Sequence, residues 1–191
     1  MTEMTHLPYA DDYAAWPTYA ADEILPGLFQ GGTEDDGVIG RRIPSCHYDR
    51  SHRFDVVVTL YADAQPAPWF VEEFRYGFGD SELTPGAIRK VLALAAAAHA
   101  RWQAGETVLI RCQAGVNRSG LVMALVLMLD GYSARDAIEL IRERRAPAVL
   151  SNRHFVRWLV TDAPDLVARI SNQASPSTHP STSPSRDSRA A

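Results

Sequence analysis

Cysteine, lysine and long apolar runs are all scarce in this chain, and each scarcity excludes a class of function. Two cysteines, Cys46 and Cys112, are too few among 191 residues for a disulfide framework, so the thiols are expected to be reduced. Lys90 is the only lysine, and 19 Lys and Arg face 23 Asp and Glu for a net charge of −4. With no basic patch or stripe, nucleic acid is not an expected partner. Residues 1–6 have neither the positive region nor the apolar core of a signal peptide. The longest apolar run near any motif, residues 121–129, is about half of what a bilayer span requires. These absences predict a soluble, cytoplasmic protein with no membrane partner.

What is present suits one globular domain. The chain is 46% hydrophobic and 22% charged, and a length of this order, within roughly 100–200 residues, supports a sizeable core. Residues 171–191 are rich in Ser, Thr and Pro with no apolar residue beyond alanine. Such a segment cannot bury enough surface to offset its ordering entropy, and disorder is expected there. Residues 1–21 read as an N-terminal extension. Its Tyr9, Tyr13, Trp16 and Tyr19, spaced near the helical period, suggest a short helix packed on a domain spanning 22–170.

Within that domain, strand and helix signals alternate. Residues 24–29 form a short strand or turn-strand unit closed by Gly31 and Gly32. The β-branched run 54–61 reads as a buried strand, and 73–78 as another. Thr84 and Pro85 supply the N-cap and first turn of a helix running to about Gln103 and stopping at Gly105. A strand over 107–111 is followed by a helix over 118–130 ended by Gly131. Ser133 caps the next helix, to about Arg144, and 152–169 forms the last, interrupted near Pro164. The alternation predicts an α/β domain, a central, mostly parallel sheet flanked by helices. Residues 33–53 hold Cys46, His47, Asp49 and His52, but without a second ligand pair at metal-site spacing they read as a polar loop, and no metal is expected.

The chemistry concentrates at 111–120, Arg-Cys-Gln-Ala-Gly-Val-Asn-Arg-Ser-Gly, between a predicted strand and a predicted helix. From Cys112 to Arg118 the backbone can curl so that the successive N–H groups of Gln113, Ala114, Gly115, Val116 and Asn117 point inward as an anion nest. The helix that follows aims its positive end at the same place. Gly115 permits backbone geometry that a side chain would oppose. A cysteine held at a helix N-terminus is favoured as thiolate, the nucleophilic form. Arg118 can grip two phosphoryl oxygens with its planar fork, and the Ser119 hydroxyl can donate to the sulfur as it leaves.

This pattern resembles the protein tyrosine phosphatase superfamily, whose signature is HCxxGxxR followed by Ser or Thr. Two further matches lead towards its dual-specificity branch. The family carries a general-acid aspartate on a loop upstream of the cysteine, at about the separation of Asp80 from Cys112, with Asp63 as the more distant rival. It also follows its phosphate loop with two helices and an Asn–Phe–Leu pattern, which Arg145, Asn152, Phe155 and Leu159 fit. The resemblance implies that Asn152 ties down the phosphate loop; an N-cap role for it is the alternative. Ile24, Leu25, Leu28, Gly31 and Gly32 resemble the branch's opening strand.

One departure stands out: Arg111 occupies the place of the signature histidine. Its fixed charge, set beside the loop, is expected to favour the Cys112 thiolate, although strand alternation could aim it elsewhere. The resemblance implies a cofactor-independent phosphatase in which Cys112 attacks phosphorus, Asp80 serves as acid and then base, and Arg118 holds the phosphate. The expected partner is a phosphorylated protein or peptide, carrying phosphotyrosine and, in a shallow cleft, phosphoserine or phosphothreonine. No lysine lies among the loop's variable positions to favour a phosphoinositide. The alternatives are phosphatases of small molecules or RNA 5′ ends, and a binding-only pseudophosphatase, for which Arg111 is the support. A rhodanese-like sulfurtransferase also seats a cysteine after a strand, but has no need of Asp80.

Overall fold

Alternating strand and helix signals produce five strands and five helices in the computed structural model, which describes residues 7–18, 20–33 and 54–174. The Cys46–His52 cluster and residues 175–191 lie outside the described residues. The strands are β1 (Ala21–Leu25), β2 (Leu28–Gly31), β3 (Val56–Thr59), β4 (Glu72–Arg75) and β5 (Val108–Arg111). The helices are α1 (Pro85–Gln103), α2 (Arg118–Leu129), α3 (Ala134–Arg144), α4 (Arg153–Thr161) and α5 (Ala163–Ala174).

The sheet has the order β1-β2-β5-β3-β4. Only the β1–β2 hairpin is antiparallel; β2–β5, β5–β3 and β3–β4 are parallel. Parallel pairing brings the carboxyl ends of four strands to one edge, where α/β sheets characteristically bind ligands. Gly31 and Thr59 both stand in register with Arg111 there, and the loops after β2, β3, β4 and β5 leave from the same rim.

Alternation along the strands divides the core. Leu28, Val56, Val58, Val108 and Ile110 face a large cluster joined by residues from all five helices, whereas Phe29, Val57 and Leu109 face the other side with Phe54, Ala67 and Val71. At the centre of the large cluster lies α2, buried from Ser119 to Met128. A helix apolar on every side is stable only when surrounded, and α1, α3, α4 and α5 surround this one. Side-chain caps set three helix starts: Thr84 Oγ1 accepts from Ala87 N, Ser133 Oγ from Asp136 N, and Asn152 Oδ1 from His154 N and Phe155 N.

Three expectations need correction. Residues 7–18 contain no helix: Tyr13 is 98% exposed, so the aromatic spacing does not mark a buried face. The segment runs as a strap, its Pro8 and Ala15 carbonyls accepting from Arg142 Nη1 and Ala148 N. The last helical region is two helices broken at Asp162, not one interrupted helix. The second continues to Ala174, past the expected boundary at 171. Ala163 and Val167 are packed in the core, and once a helix is nucleated each further residue is added at little cost.

The position of α2 makes its packing decisive. Leu125→Ala, at a site with 0% exposure, is expected to lower unfolding free energy by about 2–5 kcal/mol. Arg89→Ala on the exposed face of α1 should stay within about 0.5 kcal/mol. Urea denaturation of the two variants beside the parent chain measures both.

Candidate active site

Where β5 ends, the chain turns through Cys112–Asn117 and enters α2 at Arg118. Cys112 is 2% exposed, its thiol is free, and Sγ lies 3.3 Å from the buried Ser119 Oγ. The loop's carbonyls are turned outward onto protein donors. Gln113 O accepts from Thr33 N at 3.0 Å, Gly115 O from Arg145 Nε at 2.6 Å and Gln30 Nε2 at 3.1 Å, and Val116 O from Leu150 N at 3.4 Å. Among the described residues, no acceptor takes the N–H groups of residues 113–118. Outward carbonyls and unengaged amides together constitute an anion nest.

Gly115 is required by two independent constraints. Its φ is +67°, and a Cβ there would lie 2.5 Å from Gly31 C and Gly32 N. The loop is thus pressed directly against the backbone leaving β2. Leu150, at φ 59°, is the one described non-glycine residue with positive φ, a conformation that leucine adopts only when its surroundings impose it. Its N–H meets Val116 O, and its carbonyl accepts from Arg142 Nη2.

Arg118 Nη1 donates to Leu60 O at 3.3 Å and Phe78 O at 3.2 Å, and its guanidinium carbon lies 5.4 Å from the centre of the Tyr61 ring. Nε is buried without a partner among the described residues, which leaves a donor for an oxyanion. Phe78 is two residues before Asp80, so the same guanidinium joins the phosphate loop to the Asp80 loop. A Cβ on Gly77 would come 2.7 Å from that of Ala62, so the Asp80 loop packs tightly on the segment after β3. Asp80 accepts from Asn117 Nδ2 at 2.9 Å and from Asn152 Nδ2 at 2.7 Å, one amide on each carboxyl oxygen. An open cleft of about 380 Å³ is lined by Asp80, Ser81, Asn117, Ser151, Asn152 and His154.

The structure therefore brings Cys112, the 113–117 backbone, Arg118, Ser119, Asp80 and Asn152 to one rim. Asp63 is exposed and makes no described hydrogen bond to the phosphate loop. Asn152 caps α4, and its Nδ2 donates to Asp80 rather than to the phosphate loop; the loop is reached by its backbone N–H, at Asn117 Oδ1.

Arg111 does not meet the expectation that it lies beside the loop. Cys112 and Ile110 join the helix-side core, and alternation sends Arg111 to the opposite face. There Nε donates to Thr59 Oγ1 at 3.0 Å, and Nη2 reaches Gln65 O at 2.6 Å and Glu73 Oε1 at 3.3 Å. Glu73 thus meets the charge that was expected to act on sulfur. Burial pushes the Glu73 carboxyl up, but the Thr59 hydroxyl, the Ala67 amide and the charges of Arg75 and Arg111 together hold it below its ordinary value.

Sequence reasoning missed the loop's main support. Arg145, its side chain fully buried, links Gly115 O to Asp22 Oδ2 at 2.7 Å, and the buried Gln30 holds the same carbonyl. Burial raises the Asp22 carboxyl above its usual range, against the opposing charge and hydrogen bond of Arg145. Arg145 had a sequence signal in the family pattern; Gln30 and Asp22, polar residues in an edge hairpin, had none.

No group of three or more His, Cys, Asp or Glu among the described residues is arranged to hold a metal, and no described helix is long and apolar enough to cross a membrane. Residues 84–163 match the family model described as the dual specificity phosphatase catalytic domain. Human DUSP28 is similar in fold at 22% identity and a TM-score of 0.63, over 81% of this chain and 99% of that one. DUSP15 gives 19% and 0.63 over 82% and 97%. PTPMT1, solved in complex with PI(5)P, gives 18% and 0.56 over 79% and 99%. No curated protein matches the chain by sequence. The chain is dual-specificity-phosphatase-like, in sequence over 84–163 and in fold over most of its length.

Two substitutions test this construction. Gly115→Ala should remove phosphate binding, measured by calorimetry, because the methyl group collides with the backbone after β2. For Glu73, the lowered carboxyl means that its contribution to stability is present above the ordinary glutamate range and is lost as pH falls through and below it. Glu73→Gln should accordingly lower Tm at neutral pH and flatten the acid limb of a Tm–pH profile.

Proposed function

We propose that this protein is a cysteine-dependent phosphatase that hydrolyses phosphomonoesters on protein side chains through a phosphocysteine intermediate. The observation that carries the reading is Cys112 Sγ, within 3.3 Å of Ser119 Oγ, at the base of a loop whose six amides from 113 to 118 have no described acceptor. A phosphoryl group has the oxygens to fill those donors.

In the first step the Cys112 thiolate attacks phosphorus, forming the S–P bond as the ester P–O bond breaks. Protonated Asp80 gives its proton to the departing oxygen. The loop amides and the free Nε of Arg118 hold the phosphoryl oxygens. Water then attacks phosphorus and passes a proton to the Asp80 carboxylate. The S–P bond breaks, the Ser119 hydroxyl donates to the departing thiolate, and inorganic phosphate leaves.

The cleft supports a protein substrate. It is open, and among the described residues of its lining His154 alone can carry positive charge. The PI(5)P bound to PTPMT1 carries phosphate beyond the one that a single nest holds, and the described residues lining the cleft include no arginine or lysine for that extra charge. An open cleft also admits the short side chains of phosphoserine and phosphothreonine besides phosphotyrosine. The reduced thiol that the reaction needs fits a cytoplasmic location. Arg111 in place of the signature histidine favours a second reading, a protein that binds phosphorylated partners without turnover.

Hydrolysis of phosphopeptides by the parent chain separates the two readings. Cys112→Ser should retain peptide binding and lose turnover to below a few per cent of the parent, since a serine hydroxyl is scarcely ionised near neutrality. Asp80→Asn should lower kcat by roughly 10²–10⁴ for a poor leaving group. A parent chain that binds phosphopeptide and never releases phosphate supports the binding-only reading. Faster release from phosphoinositides than from any phosphopeptide would overturn the substrate class.

A further inference from the structure

We propose that the Asn117 side chain is the positioning residue that fixes Asp80 over the phosphate loop, a role that rests on the phosphatase reading above. Asn117 occupies the N-cap position of α2, and asparagine is among the best capping residues. Its side chain nevertheless makes no capping hydrogen bond. It spans three segments instead: Nδ2 donates to Asp80 Oδ2 at 2.9 Å, while Oδ1 accepts from Asn152 N at 3.0 Å and Ser151 Oγ at 3.2 Å.

The network determines which way the amide faces. A backbone N–H can only donate, so the atom facing Asn152 N must be the oxygen, and the N–H₂ group must face Asp80. The same argument orients Asn152, whose Oδ1 accepts from His154 N and Phe155 N and whose Nδ2 therefore turns to Asp80 Oδ1. Each oxygen of Asp80 is met by one amide of determined orientation. Of the two, Asn117 belongs to the phosphate loop itself. Its bond sets the acid's position relative to the nest, and a proton transfer is sensitive to that relation. Asn152 has a second task, capping α4, so removing it disturbs a helix as well. Asn117 has no cap to lose, which makes it the cleaner site to test.

The experiment compares Asn117→Ala, Asp80→Asn and the double variant on two substrates, p-nitrophenyl phosphate and phenyl phosphate, whose leaving groups need the acid little and much respectively. Asn117→Ala should slow both, and slow phenyl phosphate roughly tenfold more. The KM and the inhibition constant of inorganic phosphate should move by less than about twofold. The double variant should be no slower than Asp80→Asn alone, because both changes remove one function. Equal losses on both substrates, a loss confined to KM or phosphate affinity, or additive losses in the double variant would each overturn the role and leave Asn117 a loop support. If Asn117→Ala does not fold by circular dichroism, Asn117→Ser, whose hydroxyl is too short to span the same partners, should give the same split, and its absence overturns the role. A parent chain that hydrolyses neither substrate refutes the phosphatase reading and this role with it. An active parent whose Asn117 variants show no split refutes the role alone.

Discussion

Turning the carbonyls of Gln113, Gly115 and Val116 outward is the constraint on which the rest of this structure depends. A seven-residue backbone turn can receive an anion only if its N–H groups stay unpaired, and unpaired buried amides are costly unless something fills them. The chain meets the first condition by giving the opposing carbonyls partners of their own: Thr33 N, Gln30 Nε2, Arg145 Nε and Leu150 N. Those donors come from β2 and the residues just after it, from the end of α3 and from the turn before α4. The sheet order that sets β2 beside β5 and the helices that surround α2 are therefore requirements of the loop's conformation.

The Asp80 loop is tied to this support. Arg118 bonds to the Leu60 and Phe78 carbonyls with one nitrogen, and its Nε has no partner among the described residues. Asn117 and Asn152 meet the two oxygens of Asp80. The acid is thus held by the same segments that shape the nest. Arg111 contributes on the far face of the sheet, where its contact with Thr59 and Glu73 fixes the end of β3 one residue before Leu60.

Much of this was legible in the sequence where a single residue type has few alternatives. Thr84-Pro85 and Ser133 predict helix starts because caps are chemically specific, and the structure opens α1 and α3 there. Cys112, Gly115 and Arg118 announce the loop because few other arrangements need that spacing. The parts that were not legible depend on long-range packing. Gln30, Asp22 and Arg145 meet Gly115 only after the sheet has formed, and nothing local marks Asn117 as a bridge. Arg111 shows the opposite failure: its charge was legible, and the alternation that sends it away from Cys112 was the deciding fact. In residues 7–18, aromatic spacing mimicked a helix although Tyr13 is exposed; in 171–174, polar composition concealed the continuation of α5.

The central claim is that the buried thiol of Cys112 becomes covalently phosphorylated during turnover. Acid-quenching the parent chain within a few milliseconds of mixing with phosphopeptide, followed by intact-mass and peptide mass spectrometry, tests it most directly. The account predicts a phosphate adduct on the peptide containing Cys112, rising before free phosphate appears and absent in Cys112→Ser. Phosphate release at the normal rate with no adduct on Cys112, or an adduct on another residue, would contradict it.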